Sequence, residues 1–347
     1  MNDIRAHLRE GQVIPAHPLA LTPRRTLDER RQVALTRYYV DAGAGGVAVG
    51  VHTTQFAIRE HGMYRPVLEL AANAVRERLA DRPRPFALVA GVSGDTKQAV
   101  AEARIARSLG FHVALVSLAA LRDATDRELV HHCRAIADVL PVFGFYLQPA
   151  VGGRALSAEF WRELAELPSL WAVKIAPFNR YATHDVVRAI VEAGRDDVAL
   201  YTGNDDSIVH DLVTPFPVAA GGTIRTRWMD GGLLGQWAVW TRRAVELLAR
   251  IKQARRQAAI PAGLLTEGAA LTAANAAIFD AAHAFAGCIP GIHEVLRVQG
   301  LMREVWCLDP REALSPGQRR EIARVRATWP GLGDDAFVAE HLDRWLS

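Results

Sequence analysis

The stretch Leu170-Trp171-Ala172-Val173-Lys174-Ile175-Ala176 decides the fold class, because it is a short apolar run that contains a single lysine. Pro168-Ser169 precede the run and Pro177-Phe178 follow it, so both ends carry turn signals. Continuous apolar character over this length is typical of a parallel strand that is covered on both faces. The sequence therefore predicts a buried strand with Lys174 near its C-terminal end.

Burial of this strand would change the chemistry of the lysine. An ammonium group among Trp171, Val173 and Ile175 is disfavoured by desolvation, so its pKa falls and more of the amine is neutral. A neutral amine can attack a carbonyl group and form a Schiff base. The alternative is a structural lysine whose stem packs on the strand while the ammonium reaches solvent or a carboxylate. This stretch alone leaves both possibilities open.

Seven further apolar runs extend the pattern along the chain. Helical patterns separate them, and capping signals such as Asp95 to Gln98 and Thr125 to Glu128 open two of the helices. Strict alternation of strands and helices indicates an α/β protein with a parallel sheet, and eight units over about 240 residues favour a closed (β/α)8 TIM barrel. No GxGxxG motif follows the first run, which weakens the dinucleotide-binding alternative. The runs span residues 13–16, 46–51, 86–91, 112–116, 142–146, 198–202 and 216–220, and the last continues through Gly221-Gly222 to Ile224.

The pattern changes after Ile260-Pro261. Helical segments follow without intervening strands, at residues 264–286, 294–302, 316–329 and 334–345. We therefore expect a barrel over residues 1–257 and a C-terminal helical region, residues 258–347, packed on it.

Composition narrows the class of protein. Among the 347 residues, 50% are hydrophobic and 23% are charged, and the net charge is only +3, as in an ordinary soluble globular protein. No basic stripe with interleaved aromatic residues is present, so nucleic acid is not an expected partner. The three cysteines, Cys133, Cys288 and Cys307, are far apart and odd in number, which indicates a reducing compartment and neither a disulfide framework nor a zinc site. Without an apolar signal core at the start or a run of about 18 apolar residues, we expect a cytoplasmic protein without a membrane partner.

Two strand ends carry reactive side chains. In a barrel of this kind the active site lies at the C-terminal ends of the strands. Tyr146 ends the fifth run and Lys174 ends the sixth, one βα repeat later, so we expect the phenol beside the amine, where it could transfer protons. The alternative for Tyr146 is a packed ring with a hydrogen-bonded hydroxyl.

Several motifs resemble the dihydrodipicolinate synthase and N-acetylneuraminate lyase superfamily of Schiff-base lyases. The resemblance runs along most of residues 11 to 302 and depends on the order and spacing of the motifs. They are residues 43–54 with the double threonine Thr53-Thr54, the glycine-rich turn 90–96, the tyrosine-x-x-proline motif 146–149, the lysine strand 173–176 and the seventh-strand loop 201–206.

The resemblance implies a mechanism and a set of site residues. Lys174 would form an imine with a 2-oxo acid, Tyr146 would relay protons, and Thr53 and Thr54 would hold the substrate carboxylate. No metal and no organic cofactor would be required, and a homo-oligomer, either a dimer or a tetramer, would be expected. We also expect substrate contacts from His52, Gly203, Asp205, Asp206 and Ile224.

The chain also departs from the family pattern. Where the family usually has Gly-Thr-Thr-Gly-Glu, residues 52–56 are His-Thr-Thr-Gln-Phe, and Ala119-Ala120 replace a tyrosine pair. Val151 occupies the position of a substrate-binding arginine, with Arg154 three residues later. A second carboxylate would therefore lack its expected partner. These differences argue against dihydrodipicolinate synthesis and favour cleavage or dehydration of a 2-oxo acid with a C4 hydroxyl.

Three function classes remain open at this point. The first is the aldolase or dehydratase, acting on a 2-oxo-3-deoxy sugar acid or an aromatic analogue, with the sugar acid slightly favoured and synthase-type condensation as an alternative. The second is a barrel that binds a phosphorylated ligand, supported only by Gly203 and Gly221-Gly222. The third is a scaffold of the same family that binds a metabolite without turnover.

Overall fold

The computed structural model describes residues 3–347, and its centre is a parallel eight-stranded sheet. A separate antiparallel hairpin is inserted before the last strand of this sheet. In chain order the strands are β1 (Val13–Pro15), β2 (Gly46–Val49), β3 (Ala87–Val92), β4 (Val113–Val116), β5 (Val142–Leu147), β6 (Leu170–Ala176), β7 (Ala199–Thr202), the hairpin strands β8 (Phe216–Ala220) and β9 (Thr223–Arg227), and β10 (Gly231–Leu234).

The sheet closes on itself. Strand β10 pairs with both β7 and β1, and a parallel bridge between Ala16 and Ala48 joins the remaining two edges. The His17 N–H donates to the Ala48 carbonyl at 2.8 Å, and the Gly45 N–H donates to the Val13 carbonyl at 3.0 Å. The prediction of a (β/α)8 barrel is confirmed.

Within residues 3–347, thirteen α-helices accompany the strands. The predicted starts at Asp95 and Thr125 are correct, because each side chain accepts a hydrogen bond from a backbone N–H of the first turn. The helices are α1 (Ile4–Arg9), α2 (Glu29–Ala42), α3 (Tyr64–Arg78), α4 (Thr96–Ser108), α5 (Asp126–Ala137), α6 (Ala158–Ala165), α7 (Arg180–Glu192), α8 (Ile208–Val213), α9 (Thr241–Ala254), α10 (Ala262–Ile278), α11 (Cys288–Val298), α12 (Gln318–Thr328) and α13 (Asp335–Leu346). Within residues 3–347, none of these helices combines the length and apolarity needed to cross a bilayer.

The eighth barrel strand differs from the prediction. Residues 216–220 form the first strand of the hairpin, where buried Phe216 and Val218 alternate with exposed neighbours, as on a sheet with one solvated face. Gly221 and Gly222 form its turn with positive φ values of 58° and 75°. The barrel strand is Gly231–Leu234, whose glycines are weak strand formers and gave little signal.

Helix α1 closes the N-terminal end of the barrel. Its Leu8 is buried against the barrel interior, and the Tyr201 hydroxyl donates to the Leu8 carbonyl at 2.8 Å. The ring of Tyr201 contacts that of Phe143 edge to face, with 5.3 Å between centroids. Because side chains fill this end, the space for a ligand is at the C-terminal ends of the strands.

The C-terminal helices are interrupted over the mouth of the barrel. The continuous helix predicted over 264–286 is wrong, since α10 ends at Ile278 and a segment with positive φ at Asp280, Ala284 and Phe285 follows. The Asp280 carboxylate holds this segment by accepting from the Gly287 N–H at 3.0 Å. The break brings Phe279 and Phe285 to the barrel mouth.

Candidate active site

A pocket lies at the C-terminal ends of the strands and contains Lys174. We call it the Lys174 pocket. Its wall combines strand ends, the loops that follow them and the segment between α10 and α11. It is lined by Ala16, Val51, His52, Thr53, Phe145, Leu147, Gln148, Val151, Lys174, Ala176, Phe178, Gly203, Asp205, Gly235, Phe279, Phe285 and Cys288.

Lys174 is enclosed by the barrel and is only 9% exposed. Its Nζ atom lies 4.5 Å from the centre of the Phe145 ring. Burial lowers the pKa of Lys174 from its ordinary 10.5, while the negative charge of Asp205 acts in the opposite direction. The surroundings therefore give Lys174 a larger fraction of neutral, nucleophilic amine than a solvated lysine has.

Gly203, at the end of β7, leaves room for the lysine stem. A Cβ atom at this position would lie 2.7 Å from Lys174 Cε and 2.7 Å from Ala176 Cβ. The Gly203 N–H also donates to the Ile175 carbonyl at 2.7 Å, so the backbone is fixed against β6. Gly203 thus lines the pocket as expected, through the absence of a side chain.

Tyr146 does not lie beside Lys174, contrary to the prediction. Strand β5 pairs Val142 with Leu170 but then Phe143 with Ala172, so Trp171 is an extra residue in β6. As a result Phe145, and not Tyr146, is paired with Lys174 and faces the interior. The extra residue shifts the register of the two strands by one position. Such a shift exchanges the faces of the sheet to which the paired side chains point.

The phenol of Tyr146 is instead buried between the barrel and α6. Its hydroxyl donates to the Leu156 carbonyl at 3.4 Å and accepts from the Leu156 N–H at 3.3 Å. Its ring packs on Trp161 with 5.6 Å between centroids. Tyr146 is therefore a packing residue, the alternative that the sequence had left open.

Thr53 and Thr54 have different positions and different roles. Thr53 lines the pocket, and its hydroxyl is 3.3 Å from the His17 carbonyl. Thr54 is fully buried behind it, where its hydroxyl donates to the same carbonyl at 2.7 Å and accepts from the Gly50 N–H at 3.0 Å. Thr54 does not line the pocket, because its side chain is used to fix the loop, and its contact with substrate stays a prediction.

His52 faces the pocket, as predicted. Burial lowers the pKa of His52 to about 4, and the positive charge of Lys174 adds to this shift. The imidazole is therefore neutral near pH 7. Its ring packs loosely on Phe56, with 6.1 Å between centroids.

The seventh-strand loop contributes one carboxylate. Asp205 lines the pocket, whereas Asp206 is exposed outside it because consecutive loop side chains point in different directions. Asn204 is buried and structural, since its amide donates to Asp211 at 2.9 Å and its oxygen accepts from the Phe178 N–H at 2.9 Å. The structure therefore does not bring Asp206 together with the other predicted site residues, and its contact with substrate stays a prediction.

Ile224 is also absent from the pocket. It lies on the hairpin strand β9 and is 68% exposed, because the eighth barrel strand is β10 and not residues 216–224. The same correction removes Gly221-Gly222 from the barrel mouth. Arg154 bonds to the Leu121 carbonyl and does not reach the pocket, while Val151 lines it.

Four phenylalanines that sequence reasoning did not assign complete the wall. They are Phe145, Phe178, Phe279 and Phe285. Phe178 directly follows the lysine strand, a position that could have identified it. Phe285 could not have been found, because it reaches the pocket only through the irregular break after α10.

The chain resembles known proteins over most of its length. The model of the Dihydrodipicolinate synthetase family matches residues 10–219, so the match ends inside the hairpin. A 4-hydroxy-tetrahydrodipicolinate synthase from Cyanothece sp. is 28% identical over 210 residues, covering 58% of this chain and 66% of that relative.

Solved structures share the fold. A dihydrodipicolinate synthase from Agrobacterium tumefaciens superimposes with a TM-score of 0.72 at 20% identity, covering 94% of this chain and 99% of that one. An N-acetylneuraminate lyase from Fusobacterium nucleatum gives 0.72 at 17% identity, with coverage of 92% and 99%. These structures share the fold of the chain, and the family match over residues 10–219 shows that the chain belongs to the Dihydrodipicolinate synthetase family.

Proposed function

We propose that this protein is a Schiff-base lyase that cleaves or dehydrates a 2-oxo acid through an imine on Lys174. The observation that carries the proposal is the buried amine at the end of β6, which faces a pocket and has a lowered pKa. Family membership supports the reaction class. The alternative of a phosphate-binding barrel loses its support, because Gly221-Gly222 lie in the exposed hairpin turn.

The reaction begins with attack of the neutral amine on the C2 carbonyl. Loss of water then gives a protonated imine, which withdraws electrons from the C3–C4 bond or from a leaving group at C4. Phe145, Ala176 and the other apolar walls exclude water from the imine. The buried position of Lys174 holds the amine in place for attack.

One carboxylate group is accommodated better than two. Thr53 provides a hydroxyl in the wall, and its loop is held by Thr54 and the His17 carbonyl. Among the described residues that line the pocket, there is no arginine and no second lysine. A second substrate with its own carboxylate would therefore lack a charged partner, which argues against synthase-type condensation.

The tail of the substrate is best explained as aromatic. Phe178, Phe279 and Phe285 form an apolar wall of the pocket, and Asn204 and Asp206 do not line it. Flat aromatic groups pack well against such rings, whereas the hydroxyls of a polyol tail that lies against this wall would remain unpaired. We therefore favour a 4-hydroxy-2-oxo acid with an aryl tail over a sugar acid.

Borohydride trapping tests the proposal directly. The chain has only three lysines, Lys97, Lys174 and Lys252. Incubation with pyruvate and borohydride should add one reduced adduct, located on Lys174 by peptide mass spectrometry, and Lys174→Ala should abolish it. Lys252→Ala is the matched control, because Lys252 is also partly buried but bonds to the Gly11 carbonyl, which precedes β1. An adduct on Lys97 or Lys252, or none with any 2-oxo acid, would contradict the proposal.

A further inference from the structure

Because Tyr146 faces away from the Lys174 pocket, no tyrosine is among the described residues that line it. Besides Lys174, the titratable side chains that line the pocket are His52, Asp205 and Cys288. Formation of an imine needs a proton donor to the C2 oxygen, and the later steps need an acceptor for a proton from C3 or from the C4 hydroxyl. One group that alternates between its acid and its base form would serve both steps.

Asp205 is held in the pocket at a fixed orientation. Its Oδ1 atom accepts a hydrogen bond from the Gln236 N–H at 3.0 Å, just beyond the end of β10. Its carbonyl accepts from the Asn275 side chain of α10 at 2.7 Å, so the C-terminal helices also fix this loop. Within residues 3–347, no lysine or arginine nitrogen lies within 4.0 Å of its carboxylate. The other oxygen, Oδ2, has no hydrogen-bond partner among these residues and can meet a substrate atom in the Lys174 pocket.

We propose that Asp205 is the proton-transfer group of this active site, taking the place that a phenol would occupy. The inference rests on the proposed Schiff-base function and adds a catalytic residue to it. Asp205 contacts the substrate from the β7 side, while Phe145 only covers the amine from the β5 side.

The alternatives in the pocket are poorer proton carriers near neutral pH. Burial raises the pKa of the Cys288 thiol, so it does not become a base. The lowered pKa of His52 means that its acid form is scarce. Burial raises the pKa of Asp205, while the charge of Lys174 acts against that shift, so both forms of the carboxyl are accessible.

Asp205 carries the proton in each step of the reaction. The Lys174 nitrogen bonds to C2 and a carbinolamine forms; protonated Asp205 then gives its proton to the leaving hydroxyl, which departs as water and leaves a protonated imine and a carboxylate. With pyruvate, the carboxylate removes a proton from C3, and the C–H electron pair becomes the C2–C3 double bond of an enamine. Return of a proton from Asp205 to C3 restores the imine. With a C4 hydroxyl substrate, the carboxylate takes the hydroxyl proton while the C3–C4 bond breaks and an aldehyde leaves.

Exchange of the pyruvate methyl protons for deuterium measures this step without knowledge of the natural substrate. In D2O, proton NMR should show enzyme-dependent loss of the methyl signal. Asp205→Asn should slow the exchange by about 10²–10⁴-fold, the usual contribution of a general acid-base group. Borohydride should still trap the adduct on Lys174 after long incubation, because trapping accumulates over time and shows that the variant is folded.

Two control variants and the wild-type adduct distinguish the possible outcomes. Asp206→Asn changes the neighbouring exposed carboxylate and should leave the exchange within about threefold of wild type, whereas Asp205→Glu should recover most of the loss. Exchange by Asp205→Asn at a near wild-type rate, or no recovery in Asp205→Glu, would overturn the role of Asp205. Absence of any adduct in the wild type would instead overturn the Schiff-base function itself.

Discussion

The Nζ atom of Lys174 lies 4.5 Å from the centre of the Phe145 ring, on the inner face of the barrel. This contact exists because Trp171 is an extra residue in β6, which pairs Lys174 with Phe145 and turns Tyr146 outward. An aromatic ring beside the amine can stabilise its cation but cannot transfer a proton. The bulge therefore changes the chemistry that the pocket offers.

Tyr146→Phe should leave catalysis nearly unchanged. The hydroxyl bonds to the backbone of Leu156 outside the barrel, so we expect pyruvate exchange within about threefold of wild type instead of the large loss expected for a general acid-base group. The free energy of unfolding should fall by about 0.5–1.5 kcal/mol from the lost hydrogen bonds, as measured by urea denaturation. A loss of exchange above 10²-fold, with the protein still folded, would show that the phenol reaches the substrate.

The sequence predicted much of this architecture. Seven of the eight barrel strands and the position of Lys174 follow from apolar runs between turn signals, a local property of the chain. The orientation of Tyr146 could not be predicted, because it depends on a single extra residue in the pairing of β5 with β6. Spacing along the chain would have paired Tyr146 with Lys174 only if the two strands were regular.

Gly203→Ala should slow the attack of Lys174 on the substrate carbonyl without unfolding the barrel. The new methyl group would lie 2.7 Å from Lys174 Cε, so the lysine stem must move. We expect the initial rate of borohydride-trapped adduct formation with pyruvate to fall by about 10²-fold, since small displacements of a reacting group are costly. Gly194→Ala is the control variant, because nothing lies within 4 Å of the new Cβ and the site is remote from the pocket. Its φ of +69° means that a modest loss of stability is expected. Equal adduct rates for Gly203→Ala and the wild type would contradict the packing argument.

The pH dependence of adduct formation should report the environment of Lys174. Burial lowers its pKa, so the rate should rise with pH through a midpoint below 10.5, as the neutral amine becomes the main form. The groups that face it are Asp205, Cys288 and His52. The negative charge of Asp205 raises the pKa of the lysine, so Asp205→Asn should move the midpoint to lower pH.

Adduct mass measured at short times over a pH series, at fixed pyruvate concentration, gives this midpoint. A midpoint at or above 10.5 in the wild type would mean that the amine is solvated. Movement to higher pH in Asp205→Asn would mean that the carboxylate does not act on the amine.

The break after α10 shows a second limit of sequence reasoning. The residues from Leu264 to Ala286 have a helical composition, yet the helix ends at Ile278 because the Asp280 carboxylate binds the Gly287 N–H and the Ser315 hydroxyl. These are contacts between distant parts of the chain, which local propensity does not contain. They place Phe285 over the pocket.

Phe285→Ala should lower activity toward aryl-tailed substrates selectively. The rings of Phe285 and Phe178 meet edge to face with 6.1 Å between centroids, and both residues have positive φ, 68° and 51°. Alanine, like phenylalanine, has a Cβ atom, so the strain of the positive φ at residue 285 is unchanged. Only the apolar contact of the ring is lost. Removing such a ring from a binding wall costs about 1.5–3 kcal/mol, or about a tenfold to hundredfold fall in kcat/KM.

The matched substrates are 4-hydroxy-2-oxo-4-phenylbutanoate, a 2-oxo-3-deoxy sugar acid and pyruvate. The wild type should cleave the phenyl compound most efficiently. The fall in kcat/KM of about tenfold to hundredfold in Phe285→Ala should apply to this compound, because its phenyl tail packs on the wall that Phe285 forms with Phe178. Exchange of pyruvate protons should be unchanged within about threefold, since pyruvate has no tail beyond C3. A wild-type preference for the sugar acid, or an equal loss for all three compounds, would show that the phenylalanine wall does not select the tail of the substrate.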